Sequence, residues 1–178
     1  MKKKLLSALA LAGVAFASQA AFAADGTITF NGKITAQTCT ISGNGGGPNF
    51  TVTLPTVSAS SLATAGATAG RSPFNIALTN CTPDSGTVHT FFEQGPTIDT
   101  KTGYLLLNAG GATNVEIQLQ NSDFTAIALN QADASQNSKS ASIQTGAATL
   151  NYYAQYIATG KATAGAANSS VMYTMSYQ

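Results

Sequence analysis

The sequence predicts an all-β fold, an antiparallel β-sandwich, and two observations support this prediction. In nearly every apolar segment the hydrophobic residues recur at every second position, which is the period of a half-buried strand. These segments are short, and polar stretches such as SGNGGGP, NCTPDSG, NAGGAT and TGKATAGAANSS separate them. Many short strands divided by turn-forming residues are typical of a sandwich.

The predicted strands follow one another along the chain. TITFNGKIT places Ile28, Phe30 and Ile34 on one face, with Gly32 between them. The same alternation recurs in five later segments: NFTVTL with Phe50, Val52 and Leu54, PFNIAL with Phe74, Ile76 and Leu78, NVEIQL with Val115, Ile117 and Leu119, LNYYAQY with Leu150, Tyr152, Ala154 and Tyr156, and VMYTMSYQ with Val171, Tyr173, Met175 and Tyr177. The Ala-rich stretch SASSLATAGATAG predicts a helical turn or a loop instead.

The predicted strand VMYTMSYQ continues to the last residue of the sequence. A strongly apolar strand is unusual at this position, because chain ends fray and an unpaired strand edge invites aggregation. The pattern therefore raises the question of what pairs with this strand.

The first 23 residues have the three parts of a secretory signal peptide. Three lysines follow Met1, the apolar stretch LLSALALAGVAFA comes next, and Ala21 and Ala23 occupy the small-residue positions of a cleavage site. The apolar stretch is shorter than the roughly 20 residues that a membrane-spanning helix needs. We expect cleavage after Ala23, with Ala20 as the alternative; removing 23 of 178 residues leaves 155, the size of one domain.

The charge balance argues against binding to nucleic acid or anionic lipid. The chain has 8 Lys and Arg against 7 Asp and Glu, but three lysines belong to the predicted signal peptide, so the mature net charge is near −2. No basic patch remains. Charged residues are only 8% of the chain, well below the roughly 25% of an ordinary globular protein. Such a surface suits burial against many neighbours or exposure outside the cell.

The two cysteines, Cys39 and Cys81, predict one structural disulfide. An even cysteine count in an exported protein favours pairing, and the bridge would close a loop of 42 residue steps. The chain-entropy model assigns such a loop about 4 kcal/mol. A redox pair would need a C-x-x-C spacing, and a metal site would need more ligands than the single His89 adds.

No catalytic constellation is visible in the sequence. The seven acidic residues are scattered through turns, and His89 would have to serve any nucleophilic dyad alone, so an ordinary strand or surface histidine is the better interpretation. GNGGGP lacks the lysine and the following helix of a phosphate-binding loop and predicts a hairpin turn. We therefore expect no enzymatic activity, no cofactor and no metal.

Five stretches spread over the mature chain resemble the pilins of chaperone-usher fimbriae, in particular the major subunit of the type 1 fimbrial pilin family. They are GTITFNGKI before Cys39, SPFNIALTNC around Cys81, NVEIQL followed by ALN, YYAQYIATGKATAGAANSS, and the closing YTMSYQ. The ending is specific, since the family carries a penultimate Tyr and a Gly at the fourteenth position from the C-terminus, here Tyr177 and Gly165.

This resemblance implies an incomplete immunoglobulin-like β-sandwich that lacks its last strand. The missing strand leaves an apolar groove bordered by the C-terminal strand, and donor-strand complementation fills it. A periplasmic chaperone fills the groove first, and the N-terminal extension of another subunit then replaces it at an outer-membrane usher. The acceptor and chaperone-binding residues are expected to be Gly165, Val171, Tyr173, Met175 and Tyr177.

The resemblance also divides the mature chain into a donor-strand extension, residues 24–35, and a pilin domain, residues 36–178. Alternation in ADGTITFNGKIT supports the donor role, because it places small and large residues in turn on one face. That face consists of Ala24, Gly26, Ile28, Phe30 and Gly32. An ordinary first strand of a closed sandwich is the alternative. Only two residues of the expected mature chain, Ala24 and Asp25, precede Gly26. The donor segment is therefore short at its N-terminal end, and which residue would fill the outermost part of the groove is left open.

The function implied is that of a structural subunit of a surface fimbria. Such a subunit is exported through the periplasm, polymerises with identical or related pilins and supports cell adhesion. The alternative is a minor adaptor or a tip adhesin-like sandwich that binds a host or carbohydrate receptor. Adhesins of this family carry an additional receptor domain, for which the expected 155 residues leave no room.

Overall fold

The structure is a computed structural model that describes residues 26–32, 34 and 36–178. The predicted signal peptide and both of its predicted cleavage positions lie outside the described residues. The chain divides into two compact units, Met1–Ile34 and Thr35–Gln178. In the described part of the chain, no helix has the length and apolarity to cross a membrane.

The unit Thr35–Gln178 is built from eight strands and two short 3-10 turns. The strands are β1 (Thr38–Gly43), β2 (Thr68–Thr82), β3 (Gly86–Phe92), β4 (Leu105–Leu106), β5 (Val115–Asn121), β6 (Ala141–Ile143), β7 (Ala148–Ala158) and β8 (Tyr173–Tyr177). The 3-10 turns are Ala59–Leu62 and Asp133–Ser135. The first turn lies in the Ala-rich stretch, for which the sequence predicts a helical turn or a loop, and the side chain of Ser58 caps it by accepting from the backbone N–H of Ser60.

The strands form two antiparallel sheets. One has five strands in the order β1-β2-β7-β5-β4, and the other has three in the order β6-β3-β8. Buried residues of both sheets belong to one hydrophobic core, so the sheets pack face to face as predicted for a sandwich. The predicted all-β fold is confirmed.

Tyr152 lies at the centre of this core. Its ring is 5.4 Å from that of Phe74 on β2 and 5.5 Å from that of Phe92 on β3, measured between centroids. Its hydroxyl donates to Thr90 Oγ1 on β3 at 3.0 Å. Burial raises the pKa of the Tyr152 hydroxyl, so the phenol remains neutral. One side chain thus joins the two sheets by both apolar contact and a hydrogen bond.

The predicted disulfide between Cys39 and Cys81 is present. The two cysteines lie at the start of β1 and near the end of β2, where Thr38 pairs with Thr82 across the ladder. The bridge therefore attaches the edge strand β1 to the long strand β2.

His89 lies in strand β3, which is one of the two settings that the sequence predicts, and its side chain is buried rather than at the surface. Its Nε2 lies 2.7 Å from Oδ1 of Asp133 in the second 3-10 turn, and the hydroxyl of Ser176 on β8 donates to the other carboxylate oxygen. Asp133 therefore links two neighbouring strands, which is a structural role. Among the described residues, no group of three or more His, Cys, Asp or Glu is placed to hold a metal ion.

The strand prediction is wrong for NFTVTL. Residues 51–58 belong to no strand, although Phe50, Val52 and Leu54 are half-buried against the core and Thr51 and Thr53 are exposed. The alternation correctly indicates which side chains of the segment are buried, but it does not show that the segment is paired with a neighbouring strand. A strand also needs a hydrogen-bonded neighbour, and this segment pairs with none among the described residues.

The strand prediction is also wrong for TITFNGKIT within the described residues, none of which belongs to a strand. Three apolar side chains of this segment are exposed, Ile28 by 79%, Phe30 by 88% and Ile34 by 100%. The apolar face of this segment is therefore exposed to solvent among the described residues.

Candidate functional site

An open apolar groove of about 780 Å³ runs along the domain between residues 48–54 and residues 167–173. Its floor is the inner face of the five-stranded sheet together with Phe92 of β3. The floor residues of the five-stranded sheet are Phe74, Ile76, Leu105, Ile117, Leu119, Ala154 and Tyr156. An open groove with an apolar floor between two chain segments has the form of the grooves that bind extended chains.

The first wall of the groove is the unpaired segment 48–54. The inward residues Phe50, Val52 and Leu54 pack against the core, and this burial stabilises the segment in the absence of a strand ladder. The ring of Phe50 contacts that of Phe74 at 6.3 Å. Gly43 makes room for Phe50, since a Cβ at Gly43 would lie 1.9 Å from that ring.

The second wall, residues 167–173, is held by hydrogen bonds to strand β4 and to the loops on either side of it. Asn108 N–H donates to the carbonyl of Asn168 at 2.8 Å, and Ser169 Oγ donates to the carbonyl of Leu106 at 2.7 Å. Thr97 Oγ1 donates to the carbonyl of Ser170 at 2.8 Å. These bonds tie the wall to the domain from behind and leave its groove side open.

The C-terminal strand β8 forms an edge of its sheet. It pairs with β3 from Val88–Tyr177 to Phe92–Tyr173, and no strand of the described residues pairs with its other side. An unpaired edge presents a row of free N–H and C=O groups to any extended chain that enters beside it. The groove and the free edge together make a site for one additional strand.

Tyr173 closes one end of the groove. Its hydroxyl donates to the carbonyl of Pro48 at 2.7 Å, and its ring meets that of Phe50 edge-on at 6.2 Å. The two walls are therefore in contact at this point. A strand inserted along the whole edge of β8 would have to displace this contact.

The groove carries little charge. Burial raises the pKa of the hydroxyls of Tyr156 and Tyr173, which therefore remain protonated at neutral pH. Among the described residues that line the groove, Glu93 is the one acidic residue, and none is Lys, Arg or His. The carboxylate of Glu93 accepts a hydrogen bond from the hydroxyl of Thr174. An uncharged apolar strand fits this lining better than a charged one.

The structure places the predicted acceptor residues in three settings. Val171 and Tyr173 line the groove. Met175 is buried in the core, with only 8% of its surface exposed, and half-buried Tyr177 packs against the core from the last position of β8. Gly165 lies where a Cβ would approach Ala112 N to 2.5 Å, so a loop contact requires this glycine. Their role in binding a partner stays a prediction.

The predicted donor residues Gly26, Ile28, Phe30 and Gly32 are all exposed. A Cβ built on Gly26 or Gly32 would meet nothing within 4 Å. Ala24 lies outside the described residues.

Sequence patterns did not reveal several groove residues. The wall residues 167–170 lie in the stretch TGKATAGAANSS, which predicts only a turn. Phe92 ends and Glu93 directly follows the segment TVHTFF, which shows no clear alternation. For the first wall, the sequence does contain a signal. The alternation in NFTVTL indicates that one face of the segment is buried, although the segment is not paired with another strand.

Comparison with known proteins agrees with this geometry. The family model described as Type-1 fimbrial protein, A, matches residues 54–178. Major fimbrial subunit SMF-1 of Stenotrophomonas maltophilia (strain K279a) is 52% identical over 170 residues, which cover 92% of this chain and 99% of that protein.

Solved structures show the same fold. An antigen and type I fimbria protein of Burkholderia pseudomallei has a TM-score of 0.57 and 29% identity, and the match covers 79% of this chain and 95% of that chain. A chain of a solved chaperone-usher pilus has a TM-score of 0.60 and 22% identity, over 87% of this chain and 96% of that chain. At 22% identity, the similarity to the chaperone-usher pilus chain concerns the fold alone.

A sandwich of this topology, whose final strand has one unpaired edge beside an apolar groove, is an immunoglobulin-like domain of the pilin class. The chain belongs to the type-1 fimbrial protein family. It is a structural subunit of a fimbria, located at the cell surface, and its partners include related subunits of the same polymer.

Proposed function

We propose that the groove binds the N-terminal segment of another subunit, and that residues 24–35 of this chain serve as the donor strand. The observation that carries the proposal is the free edge of β8 beside the apolar groove. An inserted strand would pair its backbone with β8 and direct alternate side chains into the groove, which is strand addition to a sheet edge.

The chemistry of the N-terminal segment supports its role as donor. Ile28 and Phe30 expose most of their surface and lie two positions apart, so both side chains point to the same face of an extended strand. Moving each of them from water into an apolar groove is worth about 1.5–3 kcal/mol. The flanking Gly26 and Gly32 permit close approach of the backbone.

An unoccupied groove also requires protection before assembly. Its apolar floor and the edge of β8 favour aggregation when exposed. We infer that a periplasmic chaperone covers the groove by supplying a strand, and that an outer-membrane usher is the place of exchange. The resemblance of the sequence to chaperone-usher pilins supports both partners, and so does the fold shared with a chaperone-usher pilus.

Relatives named as major subunits favour the role of main shaft subunit over that of minor adaptor or tip adhesin. The groove geometry serves polymerisation rather than catalysis, and we propose no enzymatic role. Identical subunits joined head to tail in this way form an open filament, because each copy uses one groove and one donor segment.

The decisive experiment fuses residues 24–35 after Gln178 through a flexible linker. The added segment can then fill the groove of its own molecule, and since it binds only the folded state, the melting temperature should rise. The matched control is the same fusion with Ile28→Asp in the added segment, which should not raise it. Equal melting temperatures for the fusion, its control and the parent chain would contradict the proposal.

A further inference from the structure

We propose that Asn31 is a site of spontaneous deamidation in the unassembled subunit, and that the reaction inactivates the donor segment. The backbone nitrogen of Gly32 attacks the side-chain carbonyl carbon of Asn31 and forms a five-membered succinimide ring. The bond from that carbon to the amide nitrogen breaks, and this nitrogen leaves as ammonia with the proton that the backbone nitrogen of Gly32 has given up. Water then opens the ring to aspartate or isoaspartate. Water is the only co-reactant, and nothing is oxidised or reduced.

The local structure around Asn31 favours this reaction. Glycine follows Asn31, and without a Cβ it neither shields its own nitrogen nor restricts the backbone rotation that ring closure needs. Asn31 and Gly32 are both exposed and belong to no strand or helix. A Cβ built on Gly32 would meet nothing within 4 Å, so the backbone around it is open to solvent.

The chain contains a second Asn-Gly pair, Asn44-Gly45, which serves as an internal comparison. Asn44 is held in the turn after β1 by two bonds to Asn75: its Oδ1 accepts from Asn75 N–H at 2.9 Å, and its own N–H donates to the Asn75 carbonyl at 3.1 Å. The engaged side-chain carbonyl is not free to rotate toward the nitrogen of Gly45. The same dipeptide therefore occurs once restrained and once unrestrained.

The consequence for assembly rests on the donor role proposed above. Isoaspartate inserts one additional carbon atom into the backbone between Phe30 and Gly32. The positions beyond it, from Gly32 onward, no longer fall on the face that Ile28 and Phe30 share, so the two-residue alternation of the donor segment is broken at Asn31. The groove is formed by residues 48–54 and 167–173 and is unchanged. An aged subunit would thus accept a donor strand but no longer supply one.

The test uses the full mature chain purified in complex with its chaperone and incubated at neutral and at mildly alkaline pH. Peptide mass mapping follows the conversion of each amide to a carboxyl group, and an isoaspartate-specific methyltransferase identifies the rearranged product. Asn31 should lose its amide while Asn44 retains it, and the loss should accelerate with pH because the attacking nitrogen must give up its proton. If the amides of Asn31 and Asn44 are lost at equal rates, or that of Asn44 is lost first, the assignment of Asn31 as the reactive residue is refuted.

The consequence is tested by comparing aged and fresh subunits in a polymerisation assay. Aged wild-type chain should lose donor activity in proportion to its isoaspartate content, whereas aged Asn31→Gln chain, which lacks the reactive residue, should retain it. If aged wild-type chain is modified at Asn31 yet donates normally, the inactivation is refuted. The fusion experiment of the preceding section decides the donor role separately, since it needs no aged material.

Discussion

At the scale of single residues, the contact of Tyr173 with Pro48 joins the two walls of the groove. The hydroxyl and ring of Tyr173 connect β8 to Pro48 and Phe50 on the opposite wall. We predict that Tyr173→Phe accelerates uptake of a peptide comprising residues 24–35, because one bond across the groove entrance is lost. The cost in subunit stability should be about 0.5–1.5 kcal/mol. Stopped-flow fluorescence with a labelled peptide measures the rate.

Tyr177→Phe is the matched control for this prediction. Tyr177 lies on the same strand and is half-buried, but its hydroxyl has no hydrogen-bond partner among the described residues. Its removal should leave the uptake rate unchanged. If both variants bind the peptide at the wild-type rate, the contact between Tyr173 and Pro48 does not limit entry.

The raised pKa of Glu116 makes the stability of the folded domain depend on pH. Burial raises the pKa of its carboxyl above the ordinary 4.5, and the charge of nearby Asp99 acts in the same direction, while the hydrogen bond from Thr102 opposes both. The folded state therefore binds this proton more tightly than the unfolded state. Its contribution to stability is fully present below the unfolded pKa and is lost as pH rises through the folded pKa.

We predict that Glu116→Gln raises the melting temperature at pH 7. Glutamine keeps the acceptor for Thr102, whose Oγ1 lies 2.8 Å from Glu116 Oε2, and removes the buried charge. The gain should shrink as pH falls toward the unfolded pKa, where wild-type Glu116 is protonated in both states. Melting curves from pH 4 to 8 measure it, with exposed Asp84→Asn as the control. A gain that does not depend on pH would show that charge is not the cause.

At the scale of elements, the donor segment and the acceptor strand β8 should fail independently. Ile28→Asp brings a charge to an apolar groove at a cost of several kcal/mol, so polymerisation should stop while the chaperone-bound subunit persists. Tyr177→Ser removes an aromatic side chain that packs against the core from β8, so chaperone binding should be lost.

Co-purification with the chaperone and counting of surface filaments give two measurements for each of these variants. If Ile28→Asp abolishes chaperone binding as completely as Tyr177→Ser does, Ile28 belongs to the core of its own subunit. The donor assignment would then be wrong.

At the scale of the whole molecule, the disulfide compensates for a sandwich that lacks one strand. The two cysteines, in β1 and β2, are 42 positions apart in the sequence. In the chain-entropy model, closing a loop of this length stabilises the folded state by about 4 kcal/mol. We predict that replacing both Cys39 and Cys81 by Ser lowers the amount of subunit in the periplasm. Immunoblotting of periplasmic extracts measures this. Wild-type amounts of the double variant would show that the bridge is dispensable for folding.

The sequence alone determined the features that depend on local pattern and on compartment. Two-residue alternation predicted the inward faces of β2, β5 and β7, because residues on one side of a strand are buried together. The cysteine count together with the predicted signal peptide indicated the disulfide, because an exported chain is oxidised. Exposed Ile28 and Phe30 belong to the face predicted for the donor segment.

Only the tertiary structure decided which alternating segments obtain a hydrogen-bonded partner. NFTVTL and PFNIAL have the same pattern, yet Phe74, Ile76 and Leu78 lie in a paired strand and Phe50, Val52 and Leu54 line a groove. The reason is physical: alternation records burial of one face, which is local, whereas a ladder needs a neighbour that comes from elsewhere in the chain or from another molecule. The contact of Tyr173 with Pro48 joins residues 125 positions apart, and no local pattern contains it.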